Sequence, residues 1–239
     1  MISFVILCGG LGNRFQDVSK TLPKILAKIN PKQTMLDWLA EEYLPKDSKI
    51  ILATGHLHNK ISQYISNKNY LDSIKLSYER KKLGTGGAII KSSRLIDSED
   101  FIVLNGDTIQ EIKISEFLKK SKFSGKEVIN VGCTKSALSD SGRVVIDEDY
   151  VIKSFTEKKI PDSLKNKSNL FKLCSSIGIY RCKTSYFREL PISCISLEDE
   201  ILPNLVKSNM AKASVFEYSF HDFGTPNRYN KILNNFKSF

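Results

Sequence analysis

The residue types and spacings that phosphate chemistry needs occur at three places in this chain. Near its start, Leu7-Cys8-Gly9-Gly10-Leu11-Gly12-Asn13-Arg14 follows an apolar run, and Pro23-Lys24 comes shortly after. Glycines let backbone N–H groups approach phosphate oxygens closely, while Arg14 and Lys24 supply positive charge, which is the composition of a triphosphate cradle. A plain Gly-rich turn is the alternative. The dinucleotide fingerprint is excluded, because no G-x-G-x-x-G opens directly into a helix, and so is a Walker loop, because no G-K-[ST] follows. In the middle, Leu104-Asn105-Gly106-Asp107-Thr108 puts a carboxylate at the end of a buried strand. A hard oxygen ligand there suits Mg²⁺, which takes one or two carboxylates plus substrate phosphates. An ordinary β-turn Asp is the competing explanation. Near the end, Phe220-His221-Asp222-Phe223-Gly224-Thr225-Pro226 offers a second acid before a helix start, with Thr225 as N-cap and Pro226 in the first turn.

A further glycine run, Leu83-Gly84-Thr85-Gly86-Gly87-Ala88, follows Glu79 and opens a helix. Its backbone groups are placed to read a base edge or to face phosphate, and a bare helix start is again the alternative.

The first segment resembles the signature of the sugar-phosphate nucleotidyltransferases, G-G-x-G-T-R-x-x-P-x-T-x-x-x-P-K, with Asn13 in place of the Thr and Phe15 to Leu22 as the spacer. The resemblance implies nucleotide contacts at Leu7, Gly9, Gly10, Gly12, Asn13, Glu79, Gly84, Thr85, Asn105 and Gly106, with Arg14 on the nucleotide and Lys24 bridging the phosphates of donor and acceptor. Asp222 resembles the Asp of D-x-G-T-P, which implies that it shares a metal ion with Asp107; Arg14, Lys24, Asp107 and Asp222 are then the catalytic set. The acceptor is implied to lie on Gly142, Glu157, Lys158, Ser176, Gly178 and Glu198. Ser176 stands where N-x-G-I-Y has Asn, which bears on the identity of the sugar. L-G-T-G-G-A looks most like guanylyltransferases acting on a heptose 1-phosphate. The activity implied is transfer of a nucleoside monophosphate from an NTP, with GTP favoured, to a sugar 1-phosphate, with Mg²⁺ and release of pyrophosphate, in supply of an activated sugar for capsule, lipopolysaccharide or another surface glycan. Two rivals stay open: a cytidylyl- or uridylyltransferase acting on another sugar phosphate or phosphocholine, and a module that binds nucleotide or RNA without chemistry.

The elements that must position these residues follow from hydrophobic periodicity. Strand-like segments at Ile2 to Cys8, Lys49 to Thr54, Ile74 to Glu79 and Phe101 to Leu104 alternate with helical patterns near Thr34 to Tyr43 and Leu57 to Asn67, where Leu57, Ile61, Tyr64 and Ile65 share one face. Such alternation predicts a Rossmann-like α/β fold, a mixed but mostly parallel central sheet with flanking helices, and ligands beyond the carboxyl ends of the strands. The segments Glu127 to Cys133, Arg143 to Asp147, Tyr150 to Phe155 and Leu173 to Tyr180 predict further strands in a small added sheet layer, with Lys158 to Asn169 as a polar loop. Helices near Leu197 to Lys207 and Pro226 to Phe236 flank a strand at Ala213 to Tyr218. One domain is expected over 1–239, with nucleotide binding over about 1–110 and sugar-phosphate binding over about 111–239.

Composition limits the classes of function. The chain has 239 residues, 41% apolar and 26% charged, with no apolar run long enough for a membrane span. The start has no basic leader, so a cytoplasmic enzyme is expected. Cys8, Cys133, Cys174, Cys182 and Cys194 form no C-x-x-C pair and are odd in number, which argues against disulfides or a zinc knuckle. The net charge of +10 suits an anionic partner, but the lysines are scattered, and no strand interleaves aromatic and basic residues to read nucleic acid. The expected partners are therefore the NTP and the sugar 1-phosphate; the oligomeric state stays open, a homodimer included. His56, His58 and His221 form no H-E-x-x-H, and no serine elbow occurs, so zinc or acyl hydrolysis lacks its parts.

Overall fold

The computed structural model describes residues 2–10, 21–68, 70, 72–135, 142–156 and 171–235. Four strands, β1 (Ser3–Leu7), β2 (Lys49–Thr54), β3 (Ile74–Tyr78) and β4 (Asp100–Asn105), pair in parallel in the order β3-β2-β1-β4, with β3 at the sheet edge. Successive side chains on a strand point to opposite faces. Phe4, Ile6, Leu52, Ile102 and Leu104 accordingly join one hydrophobic core, and Val5, Ile51, Phe101 and Val103 join another. β1, β2 and β4 are buried on both faces and therefore read as nearly continuous apolar runs, whereas β3, at the sheet edge, alternates buried and exposed positions.

The two cores fix the helical layers. The first is covered by α1 (Met35–Trp38), which continues into a π-turn at Leu39–Tyr43, by α2 (His58–Asn67) through Ile61 and Ile65, by α4 (Ile114–Lys120) through Phe117, and by α7 (Pro226–Asn235) through Ile232. The second is covered by α3 (Gly84–Ser93), by α5 (Thr184–Glu189) through Phe187, and by α6 (Leu202–Lys207), which follows a π-turn at Leu197–Ile201. Thr34 caps α1 with a capping box, and the carboxylate of its partner Asp37 also accepts from the hydroxyls of Tyr64 at 2.7 Å and Tyr70 at 3.0 Å, tying α1 to α2. No helix of the described residues is long and apolar enough to cross a membrane.

The second half extends the same sheet. β9 (Lys172–Lys183) runs antiparallel between β4 and β6 (Ile129–Thr134), and β10 (Ala211–Phe216) lies parallel to β6. The hairpin of β7 (Arg143–Ile146) and β8 (Ile152–Thr156) pairs onto the first part of β9. The expected α/β class with its mixed, mostly parallel sheet is the fold observed, but the strands assigned from sequence to an added layer belong to the nine-stranded central sheet. The small extra sheet consists instead of β5 (Thr108–Gln110) and β11 (Phe220–Asp222). Three-residue strands carry too little periodicity to be read from sequence. The helices α4 and α5 also went unread, and the loop Lys158 to Asn169 lies outside the described residues.

Candidate active site

Parallel strands aim their carboxyl ends at one edge of the sheet, and the loops leaving β1, β2, β3 and β4 there enclose a cavity of about 550 Å³. Leu7, Gly9 and Gly10 line it at and beyond the end of β1, Gly55 and His56 beyond β2, Tyr78, Glu79, Arg80 and Lys82 at and beyond the end of β3, and Asn105, Gly106 and Asp107 at and beyond the end of β4. Gly84, Thr85 and Lys24 also line it. The backbone knits these loops together: Gly106 N–H donates to Leu7 O at 3.0 Å, His56 N–H to Gly9 O at 3.2 Å and Glu79 N–H to Thr54 O at 2.8 Å. Leu7, Gly9, Gly10, Lys24, Glu79, Gly84, Thr85, Asn105, Gly106 and Asp107, all singled out from sequence, thus line one cavity. Gly12, Asn13 and Arg14 lie outside the described residues.

Glu79 sits half-buried in that wall. Its Oε2 accepts from Leu83 N–H at 3.0 Å, and Oε1 lies over Gly9 and Gly55, where a Cβ would come within 3.0 and 2.7 Å of it. Among the described residues no donor bonds Oε1. Burial raises the Glu79 pKa above the usual carboxylate range, against the Leu83 hydrogen bond and the charges of Lys91 and Lys82. Beside it, burial, with the Glu79 charge added, pushes the Cys8 thiol up to about 12, so Cys8 is a neutral wall residue rather than a nucleophile.

A second cavity of about 240 Å³ adjoins the first, and Asn105 and Asp107 line both. Its other walls include Gly142, Phe155, Ser176, Gly178, Tyr180, Glu198, Asp222 and Arg228. Here β5 and β11 decide the geometry: Asp222 stands opposite Thr108, and Phe223 N–H donates to Asp107 O at 3.1 Å. The two acids, far apart in sequence, are therefore neighbours. Lys24 Nζ lies 3.0 Å from Asp107 Oδ2, and Arg228 Nη1 donates to both Asp222 oxygens at 2.9 and 3.0 Å. Asp222 Oδ1 also accepts from Gly224 N–H at 2.9 Å, and the Thr225 hydroxyl accepts from Arg228 N–H at 3.4 Å as the expected helix cap.

Ser176 is held in the second cavity by its N–H, which donates to Gly142 O at 2.7 Å, and its hydroxyl accepts from Gly178 N–H at 3.4 Å. Gly178 has φ +72°, and a Cβ there would stand 2.5 Å from Asn105 Nδ2, so glycine is required twice over. Glu157 and Lys158 fall outside the described residues.

The run Gly84-Thr85-Gly86-Gly87 has a packing role that the sequence did not disclose. Its helix start is overlain by the segment before Leu197–Ile201: Gly87 N–H donates to Ile195 O at 3.2 Å, and Ile195 N–H to Leu83 O at 2.8 Å. A Cβ would come within 2.1 Å of Ser193 O at Gly87 and 2.6 Å of Ile195 O at Gly84. The Thr85 hydroxyl donates to Glu198 Oε2 at 2.6 Å and accepts from Leu197 N–H at 2.9 Å. Thr85 thereby joins the first cavity to the second, its hydroxyl committed to protein.

The nucleotidyl transferase family model matches residues 3–238. The chain belongs to that family. Over 235 residues, 97% of this chain and 98% of the relative, it is 32% identical to D-glycero-alpha-D-manno-heptose 1-phosphate guanylyltransferase of Campylobacter jejuni. The enzyme of that name from Aneurinibacillus thermoaerophilus is 28% identical, with 95% of each chain covered. Among solved structures, HddC from Yersinia pseudotuberculosis complexed with GMP-PN aligns with a TM-score of 0.76 at 28% identity, covering 99% of this chain and all of the other.

Several wall residues of this nucleotidyltransferase were not singled out from sequence: His56, Tyr78, Arg80, Lys82, Phe155 and Arg228. Tyr78 stacks on His58 with ring centroids 4.1 Å apart, and His58 Nδ1 is 2.9 Å from Thr54 Oγ1. Position at or just beyond the carboxyl end of a parallel strand was the available signal for His56, Tyr78, Arg80 and Lys82. For Arg228 the signal was a cation on the first turn of the helix that follows Asp222.

Proposed function

We propose that this nucleotidyltransferase transfers GMP from GTP to a heptose 1-phosphate, giving GDP-heptose and pyrophosphate. The observation that carries the proposal is the junction of two cavities at Asn105 and Asp107, with Asp222 beside it. A donor nucleotide in the larger space and a phosphorylated sugar in the smaller one then bring their phosphates together at the paired acids. Guanine is favoured by Glu79. Its edge offers adjacent N1–H and N2–H donors, and a carboxylate, which only accepts, answers them where an amide would answer other bases. The heptose rests on the names of the relatives in Campylobacter and Aneurinibacillus. GTP is further supported by the GMP-PN in the Yersinia structure.

A phosphate monoester is already nucleophilic at neutral pH, so the chemistry needs no general base and no covalent intermediate. One acceptor oxygen attacks the α-phosphorus in line, and the bond to pyrophosphate breaks. The protein's part is to orient both phosphates and to balance charge. Lys24, in the wall of the larger cavity and beside Asp107, is assigned to bridging the phosphates of donor and acceptor. Arg14, Glu157 and Lys158 are assigned to nucleotide and acceptor by their place in the motifs. Gly142, Ser176, Gly178 and Glu198 are assigned to the sugar.

Asp107 and Asp222 fit Mg²⁺ in donor chemistry. Both present hard carboxylate oxygens, and among the described residues no group of three or more His, Cys, Asp or Glu side chains forms an all-protein cage. When bound, Mg²⁺ supplies positive charge and a fixed orientation to the phosphate oxygens.

The test is pyrophosphate release from GTP, CTP and UTP, each with heptose 1-phosphate, mannose 1-phosphate, glucose 1-phosphate and phosphocholine. Turnover should be fastest with GTP and heptose 1-phosphate. Preference for a pyrimidine nucleotide, or for phosphocholine, overturns the proposal.

A further inference from the structure

Both acids at the cavity junction already face cations, and the two cations stand on different sides. Lys24 meets Asp107 and lines the nucleotide cavity, whereas Arg228 meets Asp222 and lines the acceptor cavity. Among the described residues, each carboxylate at the junction thus already has a cation against it. A divalent cation brought between the acids adds two positive charges, and the guanidinium then repels it across the shared Asp222. That repulsion is relieved if Arg228 turns from the carboxylate to the anion that enters its own cavity.

We infer that Arg228 is the acceptor-phosphate clamp of this enzyme, held on Asp222 until a divalent cation takes that carboxylate. The inference rests on the proposed reaction and adds to it a residue that binds the phosphate of the sugar. Three observations support it. The guanidinium is about one-third exposed, so it turns toward ligand without leaving a buried charge unpaired. Its planar fork of donors suits the tetrahedral oxygens of a phosphate monoester, as it now suits the two oxygens of Asp222. Its backbone is fixed on the first turn of α7 by the Thr225 cap, so the side chain swings from a rigid base.

The test uses the full chain in two assays. The first is titration with Mn²⁺ alone, followed by electron paramagnetic resonance, which needs no substrate. Arg228→Met should bind Mn²⁺ roughly fivefold more tightly than the parent, the ratio set by losing one competing, partly exposed ion pair. The second is kinetics with GTP and heptose 1-phosphate. Arg228→Met should raise KM for the sugar phosphate by roughly tenfold or more, with KM for GTP within about twofold, and Arg228→Lys should recover part of the loss. Thermal unfolding of both variants separates these effects from loss of the fold.

Unchanged or weaker Mn²⁺ binding in Arg228→Met overturns the inference, because Arg228 would then position Asp222 rather than compete for it. Tighter Mn²⁺ binding with an unchanged KM for the sugar phosphate also overturns it, since the released guanidinium would have no anion to hold. If the parent chain shows no turnover with GTP, the proposed reaction fails on its own, and the Mn²⁺ titration still decides whether Arg228 guards Asp222.

Discussion

Replacing Glu79 by glutamine tests the base assignment most directly, because the side chain keeps its size. Leu83 N–H donates to Oε2 at 3.0 Å, so the amide oxygen of the variant must take that place and the NH₂ must take the place of Oε1, over Gly9 and Gly55. A group proposed to accept from guanine then opposes it donor to donor. A hydrogen bond to a charged group contributes about 1.5–3 kcal/mol, and the half-exposed position puts the loss in the lower part, about 1.5–2 kcal/mol. That corresponds to a fall of roughly 10- to 30-fold in kcat/KM for GTP, while the values for CTP and UTP hold or rise. Pyrophosphate release at subsaturating nucleotide gives these ratios directly. A Glu79→Gln variant that retains GTP turnover within about twofold of the parent, with its folded circular dichroism unchanged, refutes the assignment of Glu79 to the base.

The same carboxylate predicts a pH dependence. Its pKa is raised by burial, so on acidification it takes up a proton above the pH at which a free glutamate would. KM for GTP should therefore rise as pH falls toward the glutamate range, and Glu79→Gln should flatten that limb of the profile. Asp107→Ala and Asp222→Ala should each lower turnover by about two orders of magnitude or more while the fold persists; near-parental rates in either variant remove that residue from the proposed metal site. Asp37 titrates in the opposite sense: burial raises its pKa, but hydrogen bonds from Thr34 N–H, Tyr64, the Thr34 hydroxyl and Tyr70 outweigh it, and the net pKa is lowered. Its contribution to stability is full above the ordinary aspartate range and is lost as pH falls through the lowered value, so denaturant midpoints of Asp37→Asn and parent should converge in acid. Gly87→Ala, whose Cβ would meet Ser193 O at 2.1 Å, should cost about 1–3 kcal/mol, read as a lowered Tm.

The sequence by itself determined the parts that depend on local chemistry. Glycines after an apolar run, Pro23-Lys24, Asn105-Gly106-Asp107 and Asp222 before Gly224-Thr225-Pro226 all carried their meaning in residue type and spacing. The apolar runs of β1, β2 and β4 also stood out, because strands buried on both faces leave no polar position to blur them. Only the tertiary structure decided which of these parts meet. Asp107 and Asp222 become neighbours through β5 and β11, two strands of three residues whose pairing depends on partners more than a hundred positions away. The glycines of α3 looked like a phosphate turn from sequence and proved also to admit the segment at Ser193 and Ile195, a contact that no local pattern encodes. Arg228 was unremarkable as a helix residue until the fold set its guanidinium against Asp222. Local propensity and periodicity act over a few residues, whereas these contacts are fixed by long-range packing, which a single sequence does not display.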